Sequence, residues 1–146
     1  MDAEAIGWRV RRAGLRVTAS RVAVLDAVDR LPHAAADTIA VSLRSSHPSL
    51  TPPSVHKILG DLTSAGLVRR IEPARSAARF ETRVGDNHHH LVCRSCSLVE
   101  DVACVIGEAP CLCPSDDAGF EVEGAEVTFW GLCRDCRTTR PTELAS

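Results

Sequence analysis

Two Cys-x-x-Cys pairs, Cys93/Cys96 and Cys133/Cys136, constrain the fold of this chain more than any other feature. Each pair places two thiolates on one tight turn, and four thiolates complete the tetrahedral shell that Zn²⁺ prefers. A shell of four protein ligands leaves no coordination position for water or a substrate, so such a zinc ion is structural. We therefore expect one structural zinc ion per subunit, which stabilises a domain that is too small to be stable alone.

The charge of the chain is divided unevenly between its two halves. Residues 1–83 contain 13 Lys and Arg against 8 Asp and Glu, whereas residues 84–146 contain 4 against 11. A basic half suits a polyanion such as DNA, and an acidic half suits cation binding. The alternative is chance variation of surface residues. With 146 residues the chain has room for one ordinary core or for two small domains.

Cysteine usage and hydropathy indicate a reducing compartment. Seven cysteines are an odd number, so a complete set of disulfides within one chain is impossible. No apolar run approaches the roughly 20 residues that a membrane span requires, and the charged N-terminal segment lacks the pattern of a signal peptide. We expect a cytoplasmic protein with no membrane partner.

The first 83 residues predict a winged helix-turn-helix domain. Apolar residues recur at helical spacing from Thr18 to Arg30 and from Asp37 to Ser46. A third helix begins after Thr51, which can cap it, and ends before Gly66. Two short strands, 67–71 and 78–82, follow as a hairpin. In this fold the third helix lies in the major groove of DNA.

The remaining residues predict a small α/β domain. A polar hinge over 84–87 precedes strands at 89–93 and 97–102, which flank the first cysteine pair. Residues 103–118 are interrupted by glycine and proline, so we expect only a short irregular helix there. A strand over 120–132 leads to the second pair. The domain ends near residue 137, and the tail over 138–146 is expected to be flexible.

Several motifs, taken in order, resemble the ferric uptake regulator (Fur) family. The resemblance covers about residues 8–137 and is closest in appearance to actinobacterial FurA-like members. The motifs are Ala13-Gly-Leu-Arg-Val-Thr18, Ser54-Val-His-Lys-Ile-Leu59, Arg79-Phe-Glu81, His88-His-His-Leu-Val-Cys-Arg-Ser-Cys96 and Cys133-Arg-Asp-Cys136. The cysteine pairs preceded by a histidine cluster are its most specific part.

The resemblance implies a homodimeric, metal-dependent transcriptional repressor that binds a palindromic operator in double-stranded DNA. It implies an α+β fold, with an N-terminal winged-helix domain and a C-terminal α/β dimerisation domain. A regulatory Fe²⁺ or Mn²⁺, or Zn²⁺ in vitro, fixes the hinge between the two domains. Imidazoles mixed with carboxylates suit these metals. By position, the regulatory ligands are His33, Glu81, His88, His90 and Asp101.

The resemblance also assigns the DNA contacts. The third helix supplies residues that read base edges and phosphates, and one arginine reaches the adjacent minor groove. These residues are Ser54, His56, Lys57 and Arg16, with Arg12 and Arg21 as further phosphate contacts. The family usually has tyrosine at the position of His56, so the operator is expected to differ from the common one.

Two signals are compatible with the resemblance. The actinobacterial likeness favours a redox or peroxide response that controls oxidative-stress genes of the catalase-peroxidase type. Glu81, where the well-understood peroxide sensors have aspartate, weakens the inference of a peroxide response. The alternative is an iron-dependent repressor of metal-uptake genes. A zinc or manganese sensor is a further alternative. Three cysteines outside the zinc set are either packing residues or redox thiols: Cys104, Cys111 and Cys113.

Two hypotheses outside the family agree less well with the sequence. A zinc hydrolase needs an open coordination position, and the chain has no His-Glu-x-x-His motif and no glycine-rich phosphate loop. We therefore expect that the protein is not an enzyme. A winged helix that binds only proteins would show no salt-sensitive affinity for DNA.

Overall fold

The computed structural model describes residues 2–107 and 112–139. The chain divides into two compact units, Met1–Gly85 and Asp86–Ser146. Within the described residues no helix combines the length and apolar character needed to cross a membrane.

Four helices form most of the first unit, and three of them begin at a side-chain cap. Asp2, Thr18 and Thr51 each accept a hydrogen bond from a backbone N–H in the first turn of the helix that follows. Pro52 and Pro53 occupy a first turn, where a missing N–H costs no helical hydrogen bond. The helices are α1 (Ala3–Arg12), α2 (Ala19–Arg30), α3 (Ala36–Leu43) and α4 (Pro52–Ser64).

A three-stranded sheet completes this unit. Its strands are β1 (Ala34–Ala35), β2 (Arg69–Ile71) and β3 (Arg79–Glu81), in the antiparallel order β1-β3-β2. Gly66 adopts a φ of 72° between α4 and β2, a conformation that side chains with a Cβ rarely take. The helices bury one apolar cluster, which includes Val24, Leu25 and Leu59. The winged helix-turn-helix prediction is confirmed.

The second unit is built on another three-stranded sheet. It contains β4 (His88–Cys93), β5 (Val99–Ala103) and β6 (Thr128–Gly131), in the order β5-β4-β6, and the short helix α5 (Arg134–Thr138). Strand β5 runs antiparallel to β4, whereas β6 runs parallel to it. Strand β4 is therefore the centre of this sheet.

The region between β5 and β6 differs from the prediction. The irregular helix expected within 103–118 is wrong for its described residues, which contain no helix. Asp116 and Asp117 accept hydrogen bonds from the backbone N–H groups of Ala118 and Gly119, both at 2.8 Å, and such local bonds compete with a helix. Cys111 lies outside the described residues.

Other element bounds also differ from the sequence-based expectation. The strand expected over 120–132 is formed only at Thr128–Gly131, because the ladder with β4 begins at the pair His90 and Thr128. Helix α3 ends at Leu43, not at Ser46. The elements α1, β1 and α5 had no counterpart in the prediction. Most of the tail, 140–146, lies outside the described residues.

Candidate functional site

The two cysteine pairs meet in the second unit. Cys93 ends β4, and the parallel ladder places its Cα opposite Gly131 of β6, two residues before Cys133. The chain leaving β6 therefore returns to the first pair. The four sulfur atoms lie within 4.8 Å of one another, and they belong to Cys93, Cys96, Cys133 and Cys136.

The local electrostatics of this cluster suit a divalent cation. The backbone N–H of Cys133 donates to the Cys93 sulfur at 3.4 Å. This bond and the N–H of Cys96 lower the pKa of Cys93 to about 6. The Ser95 side chain favours the Cys136 thiolate, but the neighbouring thiols of Cys133 and Cys96 outweigh it and raise the pKa of Cys136 to about 12. A divalent cation stabilises four neighbouring thiolates, and this all-sulfur donor set fits Zn²⁺.

In the first unit, His33 and Glu81 form a buried pair. The ring Nε2 of His33 lies 3.0 Å from a carboxylate oxygen of Glu81, and the two side chains are 11% and 2% exposed. His33 has a φ of 62°, which is uncommon for a residue other than glycine. Its backbone N–H donates to the carbonyl oxygen of Phe80 at 2.9 Å. The sheet thus holds a turn that aims the imidazole at the carboxylate.

In the second unit, two histidines and an aspartate converge on one face of the sheet. His88 and His90 alternate along β4, so they share a face, and His90 is the Cα partner of Asp101 on β5. The Asp101 carboxylate lies 3.7 Å from Nε2 of His88 and 3.5 Å from Nε2 of His90. Imidazole and carboxylate donors suit Fe²⁺, Mn²⁺ or Zn²⁺.

Asp86 is a residue of this cluster that the sequence reasoning missed. Its carboxylate lies 2.7 Å from Nδ1 of His88. A carboxylate on one ring nitrogen fixes the orientation of an imidazole and leaves the other nitrogen available as a ligand. The only signal for this role was its place two residues before His88, in a segment that we interpreted as a hinge.

The exposed face of α4 carries the residues expected to meet DNA. Val55 and Leu59 are buried, whereas His56 and Lys57 are exposed and Ser54 is half-buried. The His56 ring lies 3.4 Å from an Asp37 carboxylate oxygen. Helix α4 therefore buries its apolar stripe and presents the expected DNA-contact residues outward.

Arg21 connects this helix to the segment that contains Arg16. Its guanidinium donates to the Arg16 carbonyl oxygen at 2.9 Å and to the Asp61 carboxylate on α4 at 3.1 Å. The Lys57 ammonium also donates to Asp61, at 3.2 Å. These hydrogen bonds, first from Arg21 and then from Lys57, lower the pKa of Asp61. Arg21 is mostly covered and engaged within the protein, whereas Arg12 and Arg16 are exposed.

Two of the three additional cysteines lie in the described residues. Cys104 is half-buried and Cys113 is exposed, and both lie outside the cluster of four sulfur atoms.

These features define a two-unit protein that joins a winged helix-turn-helix to a small α/β unit with metal-ligand clusters. The sequence profile of the Ferric uptake regulator family matches residues 12–130. The chain belongs to this family.

Comparisons with individual proteins agree with the family. The chain is 55% identical to transcriptional regulator FurA of Mycobacterium tuberculosis (strain ATCC 25618 / H37Rv), over 88% of this chain and 87% of the relative. It is 50% identical to ferric uptake regulation protein 1 of Mycolicibacterium fortuitum, over 90% and 81% of the two chains. The fold is similar to that of the Helicobacter pylori ferric uptake regulator, with a TM-score of 0.71, 19% identity, and coverage of 94% and 95%.

The sulfur cluster leads to a prediction for the second unit. Cys93→Ser removes a buried ligand, so we expect it to unfold the second unit while the first unit retains its helices. Removal of zinc from the unaltered protein by a chelator is also expected to unfold the second unit. Amide exchange followed residue by residue measures both effects. Cys113→Ser is the matched control, because it changes an exposed cysteine outside the cluster; equal exchange in both variants would contradict the structural role of Cys93.

Proposed function

We propose that this regulator is a homodimeric, metal-dependent transcriptional repressor that acts on palindromic operator DNA in the cytoplasm. The observation that carries the proposal is the buried His33–Glu81 pair, 3.0 Å apart, within a DNA-binding type of fold. An imidazole held beside a buried carboxylate by an unusual backbone conformation is typical of a functional site. The proposal involves no catalytic step.

Two kinds of metal have separate roles in this proposal. A structural zinc ion, held by the four clustered cysteines, stabilises the second unit. A regulatory Fe²⁺ or Mn²⁺ takes ligands from both units and fixes the hinge at 84–87. Full reversal between inactive and active populations requires a preference of about 5.5 kcal/mol for one state. The proposed regulatory ligands are His33, Glu81, His88, His90 and Asp101.

The DNA contacts follow from the exposed face of α4. Ser54, His56 and Lys57 meet the major groove, and Arg16 reaches the adjacent minor groove. Because Arg21 is bonded to Asp61 and to the Arg16 carbonyl, we assign it a positioning role. It holds the Arg16 segment in register with α4, so both regions meet the DNA together.

The second unit supplies the proposed dimer interface. Strand β6 is an edge of its sheet, and an edge strand leaves backbone hydrogen-bonding groups available to another chain. Apolar side chains are exposed around it, on β4, β6 and the turn before β5. They are Leu91, Leu98, Phe129 and Trp130. A second copy of this chain covers that surface and sets the separation of the two recognition helices.

We propose two alternative signals to which this regulator responds. The first is peroxide, with regulation of oxidative-stress genes of the catalase-peroxidase type. Clustered histidines support this proposal, because oxidants formed at a bound Fe²⁺ meet the ligand side chains first. The second is iron itself, with regulation of metal-uptake genes; the similarity to ferric uptake regulation protein 1 of Mycolicibacterium fortuitum supports it.

Metal-stimulated DNA binding is expected to depend on His33. His33→Ala removes one imidazole ligand, so Mn²⁺ should no longer increase the affinity for DNA upstream of the gene, while the dimer stays folded. A gel-shift titration with Mn²⁺, Fe²⁺ and Zn²⁺ measures the effect, and sedimentation checks the dimer. His47→Ala is the control, since His47 lies in another loop of the same unit. A normal metal response of His33→Ala would refute the site.

The charge on Lys57 is expected to contribute to the salt dependence of DNA binding. Lys57→Gln removes one phosphate contact, so the slope of log affinity against log salt should decrease by about one. Fluorescence anisotropy over a series of salt concentrations measures this slope. Arg30→Gln is a matched control, because Arg30 also pairs with an aspartate one helical turn away. An identical slope for both variants would exclude a phosphate contact by Lys57.

Peroxide sensing through Fe²⁺ predicts a specific modification. After exposure of the Fe²⁺-loaded protein to peroxide, peptide mass spectrometry should find one added oxygen on His33, His88 or His90. The Mn²⁺-loaded protein should stay unmodified under the same conditions. Release of DNA without such a modification would exclude this mechanism, and disulfides among Cys104, Cys111 and Cys113 would replace it.

A further inference from the structure

Arg69 lies beside the carboxylate of Glu81, next to the oxygen that does not face His33. The β2–β3 ladder makes Arg69 and Glu81 direct Cα partners, so their side chains share one face of the sheet. Nε of Arg69 lies 3.8 Å from Oε1 of Glu81, and Nε2 of His33 lies 3.0 Å from Oε2. One carboxylate oxygen therefore faces a guanidinium and the other faces an imidazole.

These two neighbours of Glu81 differ in what they offer a metal. The imidazole of His33 has a ring nitrogen that can bind a metal ion. The guanidinium of Arg69 has five donors, no acceptor and a permanent positive charge, so it cannot be a ligand. A divalent cation on Glu81 is repelled by that charge, and the repulsion is weakly screened because Glu81 is only 2% exposed and Arg69 23% exposed.

We propose that Arg69 is a built-in counter-cation of the regulatory site, which lowers the affinity of Glu81 and His33 for a divalent metal. In the metal-free protein it compensates the buried carboxylate, which would otherwise be costly to hold in the interior. Metal binding replaces part of that compensation. Arg69 thus sets the metal concentration at which the site fills. The inference rests on the proposed function, because it takes Glu81 and His33 as regulatory ligands.

The next residue along β2 provides a natural control. Arg70 points to the opposite face of the strand and pairs with Glu72, and their side chains are 53% and 64% exposed. Arg69→Gln and Arg70→Gln therefore change the net charge equally and occupy the same strand. Only Arg69→Gln removes a charge that faces Glu81.

The experiment measures Mn²⁺ binding by calorimetry and urea unfolding of the Mn²⁺-free protein, using the full chain with its structural zinc. Arg69→Gln is expected to bind Mn²⁺ on the order of tenfold more tightly. Arg70→Gln and the charge-conserving Arg69→Lys are expected to stay within about twofold of the unaltered protein. Without Mn²⁺, Arg69→Gln is expected to unfold at lower urea than Arg70→Gln, and Mn²⁺ should reduce that difference.

Unchanged or weaker Mn²⁺ binding by folded Arg69→Gln, relative to Arg70→Gln, would overturn the inference. If Arg69→Gln fails to fold, Arg69→Met gives the same comparison while retaining an apolar stem. If neither folds without Mn²⁺, recovery of the fold on adding Mn²⁺ supports the inference, and no recovery overturns it. His33→Ala separates the two proposals. Normal Mn²⁺ binding by that variant would refute the regulatory site. If His33→Ala loses Mn²⁺ binding while Arg69→Gln binds Mn²⁺ like the unaltered protein, only the role of Arg69 is refuted.

Discussion

The convergence of four thiols is the constraint on which the second unit depends. The cluster joins the end of β4 to the chain that leaves β6, so the parallel pairing of these strands and the sulfur positions require each other. Because thiolates repel one another, a cation at the centre stabilises the arrangement. The sheet that carries His88 and His90 is therefore held in register by a site whose four protein ligands leave no open coordination position.

The candidate regulatory groups share a simple construction in both units. The ladder of β4 and β5 places His90 beside Asp101 in one unit, and the hydrogen bond from the His33 N–H to the carbonyl of Phe80 places His33 beside Glu81 in the other. Short-range backbone geometry thus determines the donor positions. Charged neighbours such as Asp86 and Arg69 then adjust how each donor behaves.

The sequence was sufficient to predict the structure where a residue has one dominant physical role. Thr18 and Thr51 marked helix starts, and paired cysteines marked the sulfur cluster. It was insufficient where an ion pair or a strand boundary depended on residues distant in the chain. The ion pair of Arg21 with Asp61 spans 40 positions, and no local pattern distinguishes it from a free phosphate contact. Likewise, the alternation at Phe120 and Val122 predicted a strand, but pairing with β4 begins only at Thr128.

The separation of the two cysteine pairs along the chain has a consequence for biosynthesis. The N–H of Cys133 meets the sulfur of Cys93 across 40 positions, whereas helices α1 to α4 are built largely from local contacts. Structures dominated by local contacts form faster, and domains fold in order as they leave the ribosome. Helices α1 to α4 therefore form while the second cysteine pair is still being translated. The sulfur cluster is completed only after the second cysteine pair has been made, so zinc binding is the last step in the folding of the second unit.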